Sequence, residues 1–204
     1  NDDAFVQLDR VAALEEALRA WRPGERDLDL QARVAAGLER RGCLAACLIV
    51  GGDDRVRRFR HPLAAGAPVE RLAMAVVVAE RHGLHAAATR FASAGPLGDD
   101  LRASRAAAAA VEEAVLAATR PGATYGEALA ALADAYVAAG HPEAWREHYQ
   151  GGPIGYRQRE FEVTPANAGS RWLETPIEAG HAVAWNPSVA GGGKCEDTYL
   201  VDES

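Results

Sequence analysis

Apolar residues near the start of the chain recur with helical spacing. Val6, Leu8, Val11, Leu14, Leu18 and Trp21 predict a helix over residues 4–21, and a second helix follows over 28–41. A later pair is predicted over 99–119 and 125–139, where residues 106–110 are an alanine run of strong helix formers. Between the pairs, residues 44–50, 72–80 and 84–92 read as strands. Val76-Val77-Val78 is β-branched, and His82-Gly83 can turn one strand back into the next as a hairpin. Two late strands are predicted at 182–185 and 198–201.

The pattern repeats. Arg22-Pro23-Gly24 returns 98 residues later as Arg120-Pro121-Gly122, and Gly42 returns at the same spacing as Gly140. Each copy reads as a helix, an Arg-Pro-Gly turn, a second helix closed by a glycine and a strand-rich segment. The expectation is one α+β domain over residues 1–204, with pseudo-symmetric halves about 1–97 and 98–204. A site between such halves would lie on the concave face of the sheet.

Charge and cysteine content narrow the classes. A formal charge of −7 gives no basic footprint for nucleic acid. No apolar run approaches the ~20 residues of a membrane span, and no signal-peptide pattern opens the chain. Cys43, Cys47 and Cys195 make neither a disulfide framework nor a zinc motif, so a cytoplasmic location is expected. Lys194 is the only lysine. Gly191-Gly192-Gly193 reads as a flexible turn before the last strand, without the pattern of a phosphate loop.

Three motifs remain: His148-x-x-Gly151-x-x-Ile154-Gly155, Ala184-Trp185-Asn186-Pro187-Ser188, and Cys195-Glu196-Asp197-Thr198. In order and spacing these resemble the active-site frame of the creatinase, aminopeptidase P and methionine aminopeptidase family. The Arg-Pro-Gly turn before helix 125–139 is similar to that family's Lys-Pro-Gly turn. The resemblance covers nearly the whole chain. It implies the pita-bread fold, two αβ halves around a curved, mostly antiparallel sheet. Relatives nearest prolidase and creatinase carry a separate N-terminal domain, which is expected to be absent from this chain.

The resemblance also implies where two divalent ions would be held, and this sequence departs there. The family's two aspartates fall on Val76 and Ala87, its histidine on Gly152 and its first glutamate on Asn186. Only the last glutamate is kept, as Glu196. Apolar side chains offer a divalent ion nothing in exchange for the water it sheds, so no metal and no other cofactor is expected. Two family histidines that act on substrate survive as His61 and His148, and a third falls on Arg159. The expected catalytic set is therefore His61, His148 and Glu196, with Asn186, Tyr156 and Arg159 as substrate contacts.

Three functions compete. The first is metal-independent C–N bond hydrolysis of a small amide, amidine or amino-acid-derived substrate. Creatinase sets the pattern, and His61 or His148 would be the base. The second is a non-catalytic pseudopeptidase that binds a peptide or protein. The third is the family's generic metallopeptidase activity, against which the missing ligands argue. The expected partners are a small molecule or short peptide and neither nucleic acid nor membrane, with a homodimer as a candidate assembly.

Overall fold

The computed structural model describes residues 2–203, with side chains described from Val11 onward. Val6 and Leu8, placed on the first helix by spacing, lie outside the described side chains. The N-terminal half runs α1 (Asp2–Ala20), β1 (Glu25–Arg26), α2 (Asp27–Glu39), β2 (Leu44–Gly52), α3 (Asp53–Arg58), β3 (Pro68–Val69), β4 (Leu72–Arg81) and β5 (Leu84–Ser93). Then come α4 (Asp99–Ala118), α5 (Tyr125–Ala138), β6 (Gly151–Pro153), α6 (Arg171–Glu174), β7 (Ala182–Trp185), β8 (Ser188–Val189), β9 (Gly193–Lys194) and β10 (Asp197–Leu200).

Strands β2, β4 and β5 form one antiparallel ladder and β6, β7 and β10 another. The ladders meet edge to edge. Thr89 N donates to Glu196 O (2.9 Å) and Ala87 N to Thr198 Oγ1 (2.8 Å). The hairpin turn falls at His82-Gly83, whose φ angles of 54° and 84° are both positive, as a tight two-residue turn between twisted strands requires.

Strand β4 shows why the sheet has two distinct faces. Ala73, Ala75, Val77 and Ala79 pack into the core made with α1 and α2. Leu72, Met74 and Val76 alternate onto the other face and pack with Ile49, Val56 and Leu101. A second core joins α4 and α5 to Val183, Trp185 and Val189.

The repeat read from the sequence has a hydrogen-bond counterpart. Gly24 N donates to Val69 O (2.9 Å) in one half and Gly122 N to Ile177 O (3.0 Å) in the other. Asp27 N bonds Ala67 O (2.9 Å) just as Tyr125 N bonds Thr175 O (3.2 Å). The halves diverge after the second helix. A strand-rich segment is expected in both, but in the second half most of 140–181 is loop around the three-residue β6. The short helix α3 carries no periodicity of its own. It is anchored by the Asp53 side chain, which accepts from the backbone N–H of Glu70 (2.7 Å), Arg71 (2.8 Å) and Leu72 (2.9 Å).

Candidate active site

The carried-over positions converge. Ala87, Gly152, Asn186 and Glu196 line one small cavity, together with Val78, Tyr149, Gly151, Gln158, Arg159 and Ala184. Val76 lies one step away, buried with Ile49 and Met74 and paired in register with Thr89. The cavity measures about 20 Å³, room for about one water molecule.

Glu196 is the carboxylate in that lining, and its partners are in place. Thr89 Oγ1 donates to Oε2 at 2.6 Å. The ammonium of Lys194 stands 3.6 Å from the same oxygen, and the two side chains are only 3% and 7% exposed. With its amide oriented to suit its neighbours, Asn186 donates from Nδ2 to Tyr149 O (3.2 Å) and Gln150 O (3.0 Å). Arg159 lies over the Tyr149 ring at 3.8 Å and donates to Tyr149 Oη at 2.6 Å.

A divalent pair needs several anionic oxygens or imidazoles, and this lining supplies one engaged carboxylate, Glu196, and the neutral amides of Asn186 and Gln158. Gly152 makes the point sterically. Its φ is 141°, and a Cβ there would sit 2.7 Å from Phe161 O, so this backbone has no room for a histidine side chain. Among the described residues, no three His, Cys, Asp or Glu side chains stand together as a metal cluster. The residues present do not fit the family's dinuclear centre.

His148 is held at both nitrogens. Nδ1 faces Tyr149 O, so it carries the hydrogen, and Nε2 lies 3.0 Å from Ser188 Oγ. Arg60 Nε donates to the same Ser188 Oγ at 2.7 Å and its Nη2 pairs with Glu147 at 2.6 Å. The chain of donors runs from Arg60 to Ser188 to His148 to the Tyr149 carbonyl. Burial, followed by the charges of Arg60 and Lys194, pushes the His148 pKa down to about 3. It is a neutral, fully engaged imidazole.

His61 is different. Its loop lies on β2 where Gly51 leaves room for Pro62, since a Cβ on Gly51 would fall 2.7 Å from the proline Cβ. The residue is exposed. Partial desolvation and then Lys194 lower its pKa, opposed by Glu196. Lys194, Glu196 and Arg159 thus all act on it electrostatically.

The structure brings Glu196, Asn186 and Arg159 to one cavity, with His61 and His148 in its electrostatic neighbourhood. Tyr156 is not part of the cavity lining. It is 79% exposed and stands beside the Gly83 turn. Sequence reasoning gave no role to Arg60 and Thr89, which stand beside the site, nor to Ser188 and Tyr149 within its motifs, and Lys194 joins them as the partner of Glu196. A lone lysine in an arginine-rich chain was the available signal. The Cys195 thiol is pushed up to about 12 by burial and then by Glu112, which makes it a poor nucleophile.

Two αβ halves whose antiparallel ladders meet edge to edge define the pita-bread class, and the comparisons agree. The chain resembles the dipeptidase PepE from Mycobacterium ulcerans (TM-score 0.85, 23% identity, 99% of this chain and 55% of that one). It also resembles the prolidase from Pyrococcus furiosus (0.83, 19%, 99% and 60%). A third similar structure is the X-Pro aminopeptidase from Thermotoga maritima (0.81, 19%, 97% and 56%). The chain spans little more than half the length of these structures. No match emerges among curated proteins. The sequence model of metallopeptidase family M24 matches residues 10–203, and the chain belongs to that family. No helix among the described residues is long and apolar enough to cross a membrane.

Proposed function

We propose that this M24 homologue has lost the family's dinuclear metal centre and acts as a pseudopeptidase that binds a small or peptidic ligand. The observation that carries the reading is the Glu196 carboxylate, which already faces Thr89 and the buried ammonium of Lys194 in a cavity of about 20 Å³. A fixed lysine there supplies positive charge that metal ions supply in a dinuclear site. Peptide hydrolysis needs an activated water and a base, and His148 has both ring nitrogens engaged. Such a module would work in the cytoplasm, in keeping with Cys43, Cys47 and Cys195 forming no disulfide.

His61 favours a second reading, metal-independent C–N hydrolysis. It is exposed, neutral at pH 7 by the direction of its pKa shift, and within electrostatic reach of Glu196. Water would add to the carbonyl or amidine carbon as His61 takes its proton. That proton would then pass to the departing nitrogen.

One assay separates the readings. The protein is incubated with Xaa-Pro dipeptides and small amides, with and without Mn²⁺. No turnover in either condition supports the binding module. Metal-free turnover abolished by His61→Ala supports the hydrolase, and Mn²⁺-dependent peptide cleavage overturns both.

A further inference from the structure

Next to the collapsed cavity lies a second, larger opening. It runs between α3 and the β8–β9 hairpin and measures about 180 Å³. Lys194 is the wall between the two, since it lines this cleft while pairing with Glu196 behind it. Arg57, Arg58 and Arg60 line it as well, against the single carboxylate of Glu147. A net-positive cleft on a chain of net charge −7 focuses potential on its mouth and draws small anions.

These cations are not equally committed. Arg60 is spent on Ser188 and Glu147, and Arg58 faces Asp54 only at 3.8 Å, with both side chains exposed. Among the described residues, no side chain bonds the Arg57 guanidinium. Lys194 has three protons, yet among the described residues its one ion pair is the 3.6 Å approach to Glu196, although its side chain is only 3% exposed. A buried ammonium with donors to spare, at the wall of a cleft, is an anion contact in waiting. Val56, Met74 and Val189 give the same cleft apolar surface. The volume is below the ~300 Å³ at which drug-sized pockets begin, so the ligand is about the size of one amino acid.

We propose that this cleft binds a small organic acid, its carboxylate on Arg57 and Lys194 and its compact apolar body over Val56, Met74 and Val189. The inference rests on the binding reading above and names its ligand class. The shared chemistry is an anion, and the two sources to separate are a carboxylic acid with an apolar body and inorganic phosphate.

Because Lys194 is the only lysine, growth on [¹⁵N]lysine gives the full chain a single labelled backbone amide, at the wall of the cleft. The test titrates that signal with N-acetyl-L-leucine, leucinamide and inorganic phosphate. The expected result is a saturable shift with N-acetyl-L-leucine, none with leucinamide and a much weaker one with phosphate. Arg57→Glu, on an exposed side chain, should weaken N-acetyl-L-leucine by about tenfold or more, as losing a charge-assisted contact does, while the melting temperature stays put. Lys194→Met should weaken it similarly, read by calorimetry, but Arg57→Glu decides if that variant fails to fold. No saturable shift, a shift undiminished in Arg57→Glu, or phosphate binding as tightly as N-acetyl-L-leucine would each overturn the proposal. None of these outcomes reads metal uptake or peptide cleavage, so failure here is distinct from failure of the binding reading.

Discussion

Nζ of Lys194 stands 3.6 Å from Oε2 of Glu196, with both side chains almost wholly buried. The pair therefore depends on each partner. Removing one leaves an uncompensated buried charge, which costs about 3–5 kcal/mol, whereas removing both costs less. Lys194→Met should lower unfolding stability by that order, and adding Glu196→Gln to it should restore part of the loss. Urea titration of both singles and the double variant measures this. Strict additivity would show that the two groups do not interact.

His148 makes stability depend on pH. Its native pKa lies at about 3 and its ordinary value is 6.5, so between those limits the unfolded chain binds the proton and the native one does not. Stability from this group is therefore complete above about pH 6.5 and falls as the pH drops toward 3, by up to ~1.4 kcal/mol per unit. His61, also lowered, acts in the same direction. His148→Gln should flatten the profile between pH 4 and 6 in denaturation curves. An unchanged slope would mean that the imidazole is not buried as described.

Asn186 donates two hydrogen bonds to backbone carbonyls. Asn186→Asp would turn a carboxylate oxygen on those carbonyls and leave them unpaired, which costs ~1–3 kcal/mol or more for charged groups. The loss should shrink at low pH, where a protonated aspartic acid can donate again. Thermal melts of the variant at pH 7 and pH 4, each against the parent at the same pH, test this. An Asp variant as stable as the parent at pH 7 would refute the assignment.

Gly152 is constrained twice, by φ of 141° and by Phe161 O lying 2.7 Å from where a Cβ would be. Gly152→Ala should cost at least ~1–3 kcal/mol, the usual range for a strained backbone position. Gly152→His should not create a metal site even alongside Val76→Asp and Ala87→Asp, because the backbone there cannot present the ring. Calorimetry of the alanine variant and metal titration of the triple variant are the checks.

Much of the fold was legible because it is written in periodicity. The four long helices and the β2, β4 and β5 strands follow their apolar spacing, and the His82-Gly83 turn followed from residue type. The segment 140–181 was not, since its loops are held by single contacts such as Asn167 Nδ2 to Glu162 O, which leave no period in sequence. In the site, motif spacing located Glu196, Asn186 and Gly152. It did not tell that Asn186 and His148 would be consumed by backbone carbonyls and Ser188, because Ser188 lies 40 residues from His148 and the carbonyls that Asn186 meets belong to the distant Tyr149 and Gln150, partners chosen by the fold. Tyr156 lies outside the cavity lining for a related reason: proximity to a motif in sequence does not fix which way a loop residue turns.

The central claim is that no dinuclear metal centre forms. Its most direct test is the metal content of the purified chain by elemental analysis, before and after incubation with Mn²⁺, Co²⁺ or Zn²⁺ and removal of excess ion. The account predicts stoichiometry near zero throughout. Close to two ions per chain would contradict it.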